Sequence, residues 1–97
     1  MALRKEMAVM PNPDDQLQRI SNLGKLVRLR VVILDLKPLR VRWGDEEFPV
    51  WIPSRELRQS VVSTWDLGSS VDLIAIVGMY KGEWQLVVEE ADWVEGK

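Results

Sequence analysis

The chain has 97 residues, of which 46% are hydrophobic, enough for one domain with a small core. It contains no cysteine and no histidine, which excludes disulfides, thiolate or imidazole metal ligation, and any nucleophile paired with an imidazole base. The net charge of -2 gives no reason by itself to expect a polyanionic partner, and no apolar run approaches the roughly 18 residues of a membrane span.

The charge is unevenly distributed along the chain. Residues 16–43 hold seven basic residues and one acidic one, a net +6, whereas residues 44–97 hold four basic and eleven acidic residues, a net -7. A molecule polarised in this way attracts anions on one side only. Arg4 and Lys5 are followed by no apolar core, so the N-terminus does not read as a secretory signal, and a cytoplasmic location is expected.

Residues 1–12, with three methionines and Pro11 but no sustained period, read as a flexible arm. Residues 13–24 read as a short helix that lies as a lid on the rest of the domain. Asp14 or Asp15 stands near its N-cap, Leu17, Ile20 and Leu23 recur every third residue, and Gly24 stops it. Residues 26–36, LVRLRVVILDL, form a strand too long for the usual five or six residues. Val27, Leu29 and Val31 share one side, and from Val32 the parity changes to Val32, Leu34 and Leu36. Adjacent inward residues at Val31 and Val32 predict a bulge or bend there, which lets one strand serve two neighbours.

Lys37-Pro38 is a tight reversal. Residues 39–43 alternate with Leu39, Val41 and Trp43 inward and Arg40 and Arg42 outward; residues 48–52 alternate with Phe48, Val50 and Ile52 inward and Pro49 and Trp51 outward. Pairing Trp43 with Phe48 sets Val41 against Val50 and Arg40 against Trp51. Ser54 is a natural N-cap for a helix whose apolar face is Leu57, Val61 and Trp65, with Glu56 in the first turn and Gly68 at the end. Residues 71–79 are apolar on both faces, Ile74 and Ile76 pointing outward. Tyr80-Lys81-Gly82-Glu83 is a hairpin turn into residues 84–88, where Trp84, Leu86 and Val88 point inward.

The order is strand, strand, strand, helix, strand, strand, with a long bent first strand. This pattern resembles the OB-fold, a five-stranded barrel with one helix between strands three and four, here preceded by a short N-terminal helix; the class is all-β with one helix. The stretch Val77-Gly78-Met79-Tyr80-Lys81-Gly82-Glu83-Trp84-Gln85-Leu86-Val87-Val88-Glu89 is similar to the last hairpin of single-strand-binding and anticodon-binding OB domains. The barrel is expected over residues 25–94.

The resemblance implies a nucleic-acid site on the outer face of strands two and three, flanked by the 1–2 and 4–5 loops. Arg40, Arg42 and Trp51 fall on that face, and Lys37, Tyr80 and Lys81 flank it. The chemistry suits a single strand, since arginine meets phosphate and an exposed indole stacks a base for roughly 1–3 kcal/mol. Competing readings stand beside it. Arg40 faces Asp35 across the turn, so Arg40 and Arg42 also suit a solvated sheet face, and Trp51 also suits cover by the N-terminal helix. No cofactor or metal is expected, and no catalytic residue: the acidic runs at Asp45-Glu46-Glu47 and Glu89-Glu90 lie at turns and strand ends, where neighbouring carboxylates splay apart. The expected partner is single-stranded DNA or RNA, with DNA favoured, bound largely without sequence preference and with no membrane contact. The alternative is a protein-interaction subunit or homodimer docking through Trp51, Ile74 and Ile76.

Overall fold

The computed structural model describes residues 4–12 and 14–94. Five strands and one helix follow in the expected order: β1 (Leu26–Leu36), β2 (Leu39–Trp43), β3 (Glu46–Trp51), α1 (Arg55–Thr64), β4 (Ser70–Tyr80) and β5 (Glu83–Val87). Short 3-10 turns occur at Lys5–Met7, Ile20–Asn22 and Ala91–Trp93. The strands close into a barrel in the order β1-β2-β3-β5-β4, with β3 and β5 parallel and the other pairs antiparallel. A closed five-stranded barrel with its helix between the third and fourth strands is compatible with the OB-fold. Among the described residues no helix is long and apolar enough to cross a membrane.

β1 serves two neighbours, as its length predicts. Leu26 to Val32 pair with β4, and Val32 to Leu36 pair with β2, so Val32 stands in register with both Ser70 and Arg42. The bend, however, is not at Val31 and Val32. Val27, Leu29, Val31 and Ile33 are all buried on one continuous parity, and the register slips between Ile33 and Asp35, which makes Leu34 the extra residue. Val31, Val32, Ile33 and Leu34 are all aliphatic, so composition alone does not mark which of them lies outside. The slip sits just past the residue where β1 leaves β4 and continues with β2, the place where a closing sheet needs extra twist.

The core is built by alternation from all five strands. Leu29, Ile33, Phe48, Ile52, Leu73 and Leu86 are its largest fully buried side chains, each contributing on the order of 1.5–3 kcal/mol by leaving water. Trp43 and Trp65 are buried with them, and Trp84 is half-buried at the margin. α1 begins as its sequence predicts: the Ser54 hydroxyl accepts a hydrogen bond from the Leu57 N–H at 3.2 Å, and Leu57 and Val61 face the barrel. The helix stops at Thr64 rather than continuing to Gly68. Ser63 and Thr64 turn their hydroxyls back onto helix carbonyls, a habit that weakens a helix end. Gly68, at φ +81, instead brings its N–H to the Ile33 carbonyl beside the slip in β1.

The β2–β3 hairpin is tighter than expected. Trp43 pairs with Glu46, Val41 with Phe48 and Arg40 with Pro49, so the turn is the two residues Gly44-Asp45. Gly44 at φ +59 supplies the left-handed position that a two-residue hairpin requires. The shift from the expected pairing is two residues, so every side chain stays on its expected face while its cross-strand neighbour changes.

The segment ahead of β1 also differs. No α-helix forms over residues 14–23, and only the 3-10 turn at Ile20–Asn22 appears. Every-third spacing is the repeat of a 3-10 helix rather than of an α-helix, and only Leu17 of the three is buried, at 2% exposure against 72% for Ile20. Leu17 is tied down through its backbone: the Glu46 carboxylate accepts from the N–H groups of Leu17 and Gln18 at 2.6 and 2.9 Å. The described part of the expected arm, residues 4–12, is joined to the barrel by Val9, which lies parallel to β1 and exchanges bonds with the Leu26 carbonyl and the Arg28 N–H; residues 1–3 lie outside the described residues. At the other end Val94 bridges to Leu73, and Trp93 is buried. Ile74, expected to point into solvent, is only 6% exposed and shares a small cleft with Trp93 and Val94. The chain covers that residue itself, which removes it as a docking contact; Ile76 is half-buried.

Candidate functional site

Trp51 stands where β3 outruns β2. The last β2–β3 pair is Arg40 with Pro49, so the next outward residue lies beyond the end of that pairing. Its backbone is held on the other side, in register with Val87, and its carbonyl accepts from the Val88 N–H at 2.9 Å. Val50 and Ile52 are buried, so strand alternation turns the indole outward, where it is 49% exposed. Pro53 and Ser54 then reverse the chain into α1, which carries Arg58 back over it. The Arg58 guanidinium lies 5.2 Å from the indole centroid and donates to the Ile52 carbonyl at 3.1 Å. One cation is thereby fixed both to the ring and to the strand beside it.

The indole is a ridge between two clefts. The larger, about 570 Å³, lies between the Lys37-Pro38 turn and α1; Leu36, Leu39, Val50 and Val62 give it an apolar lining, and Lys37 and Arg58 bring positive charge to it. The smaller, about 330 Å³, is lined by Trp51, Tyr80 and Gln85. Tyr80 is 62% exposed, and the Lys81 ammonium lies 5.4 Å from its ring centroid. Lys81 and Gly82 hold positive φ values of 51° and 79° and close Tyr80 against Glu83, the pattern of a type I′ hairpin.

Of the residues expected at the site, Lys37, Trp51, Tyr80 and Lys81 gather around this ridge. Arg40 and Arg42 lie on the wall of β2 and line neither cleft, with acidic residues across from them in register. Arg40 is 3.8 Å from the Glu47 carboxylate and in register with Asp35, and Arg42 is in register with Glu47. The expected partner of Trp51, Arg40, is thus replaced by Arg58. One helix face and one strand residue at the site went unforeseen. Arg58 and Val62, with Gln59 and Ser63, form a helix face one step round from Leu57 and Val61; the signal was present in the four-residue spacing. Gln85 is outward by simple alternation between Trp84 and Leu86.

The polarity read along the chain does not survive folding. Antiparallel pairing lays the basic first half beside the acidic second half, so Arg30 bonds Asp72 at 3.1 Å and Arg40 meets Glu47. What remains chemically distinctive is a pair of aromatic platforms, each with a cation over it. Among the described residues no group of acidic side chains is arranged to hold a metal ion. Compared with protein-family models, curated proteins and solved structures, the chain matches none.

Proposed function

We propose that the chain binds single-stranded nucleic acid across the Trp51 ridge, largely without sequence preference. One observation carries this reading: an exposed indole and an exposed phenol share a cleft, and each has its own cation over the ring. A single strand offers unstacked bases and regularly spaced phosphates, and an aromatic face beside a cation meets both. Lys37, Arg58 and Lys81 supply the charge closest to the rings, and Arg40 and Arg42 add a weaker, acid-balanced field.

The test is fluorimetric, with oligo-dT as the first ligand and oligo-U and duplex alongside. Trp43, Trp65 and Trp93 are buried and Trp84 is half-buried, so Trp51 is the most exposed indole, and comparison with Trp51→Ala assigns the quenching to it. Quenching that weakens as salt rises is expected. Absence of quenching with micromolar protein at low salt overturns the reading.

A second surface favours an interaction subunit. Met7, Val9, Met10, Ile20 and Leu23 are all exposed and all belong to the segment ahead of β1, and large apolar side chains concentrated in this way mark contact surfaces. A sizing column showing a dimer, or a larger complex formed with a partner chain, supports that role; a clean monomer argues against self-association.

A further inference from the structure

We infer that Gln85 reads one base of the bound strand and selects adenine. The inference rests on the single-strand reading above and gives its smaller cleft a specificity. Among the described residues the cleft is lined by three, two of them aromatic and the third a carboxamide. Strand alternation places that carboxamide on the outer wall, because Trp84 and Leu86 on either side belong to the inner face. Its cross-strand neighbour on β4 is Gly78, and continuing the parallel register of Val50 with Leu86 by one residue sets Pro49 on the β3 side. Neither neighbour has a side-chain hydrogen-bonding group. The Gln85 side chain makes no hydrogen bond among the described residues, and it is not sealed from solvent.

The Gln85 side chain lies close over Gly78. A Cβ at Gly78 would come 3.7 Å from Gln85 Cγ and 3.8 Å from Gln85 Nε2, so the side chain lies across bare backbone. With Trp51 and Tyr80 as walls, a base entering the cleft stacks on a ring and presents an edge to a group that both donates and accepts. Adenine complements a carboxamide through its 6-amino group together with a ring nitrogen, and it does so on either of two edges. Thymine and cytosine also carry an adjacent donor and acceptor, but their single rings stack over less area. Guanine meets a carboxamide on its Watson–Crick edge alone, since its Hoogsteen edge offers two acceptors and no donor, whereas adenine does so on both edges.

The experiment measures affinity for an oligo-dT host of about twelve nucleotides and for the same host with one central dA, dC or dG. The dA-bearing strand is expected to bind about tenfold tighter than the host, the scale of one bidentate base contact. Gln85→Leu removes the amide and should erase that preference. Gln85→Glu keeps acceptors but loses the donor, and should move the preference to dG, whose Watson–Crick edge presents two adjacent donors. A side chain that only filled space would not redirect specificity in this way. Equal binding of all four strands by the wild-type chain, or a dA preference that persists in Gln85→Leu, overturns the inference while leaving single-strand binding intact. Binding of none of the strands overturns the reading beneath it.

Discussion

The arginines on β2 and the arginine at the end of β3 differ in what stands opposite. On β2, Arg40 and Arg42 stand in register with Asp35 and Glu47, and Arg40 lies 3.8 Å from the Glu47 carboxylate. At the end of β3, Arg58 arrives from α1 and meets an indole and a backbone carbonyl instead. Neither of those partners cancels its charge. The difference teaches that a cation's use to a ligand is set by its cross-strand and helix-packing neighbours and not by the local density of basic residues along the chain.

The comparison is sharpest at Trp51. Trp51→Ala removes the platform and should weaken oligo-dT binding by roughly 1–3 kcal/mol, a factor of about 5 to 150. The side chain is half exposed, so the melting temperature should stay near that of the wild-type chain. Fluorescence anisotropy of a labelled strand at low salt measures the first, and circular dichroism the second. A smaller loss from Trp51→Ala than from removing both β2 arginines would reverse the ranking of the two regions.

Arg58→Ala comes next. About tenfold weaker binding is expected, through loss of a cation held over the ring. If Arg58 meets a phosphate, the slope of log affinity against log salt should become shallower by about 0.7, the value for one phosphate of a single strand. Arg58→Lys keeps the charge but not the planar fork or its rigid anchoring on Ile52, and should restore the slope more fully than the affinity. An unchanged slope in Arg58→Ala would confine this residue to supporting the indole. The double change Arg40→Ala with Arg42→Ala should cost less, about two- to threefold, because neither lines a cleft and Arg40 is already within reach of the Glu47 carboxylate.

Much of this molecule was legible from the sequence, and the failures share a cause. Alternation placed Leu39, Val41, Trp43, Phe48, Val50 and Ile52 inside and Trp51 outside, because a strand's two faces depend on parity alone. Parity survives a two-residue register error, so the same pattern did not reveal that Arg40 pairs with Pro49 and not with Trp51. The local cues at Ser54 and at Lys81-Gly82 were sufficient, since a cap and a two-residue turn are made within a few residues. Non-local cover was not: Ile74 looked outward until Trp93 and Val94 were seen beside it. Arg58 was missed for a related reason, as a helix residue beside Leu57 acquires its role only from where the helix crosses β3. The charge split failed in the same way, since its two halves are neighbours in the barrel.

The smallest change tests the comparison from the opposite direction. If Arg40 and Arg42 contribute little because acid answers them, removing the acid should recruit them. Glu47→Gln keeps the size of the side chain and leaves the Glu47 backbone carbonyl free to accept from Gln18 as before. The ion pair it breaks, 3.8 Å long with both partners substantially exposed, is worth only about 0–1 kcal/mol, so stability should hardly move. Affinity for oligo-dT should rise about twofold at low salt, and the gain should vanish near 1 M salt, where screening acts within about 3 Å. The gain should also disappear when Arg40 and Arg42 are both alanine. A gain that persists in that background would place the effect of Glu47 on the strand itself, by direct repulsion, and the two regions of the wall would then differ in where their acids point and not in how their arginines are paired.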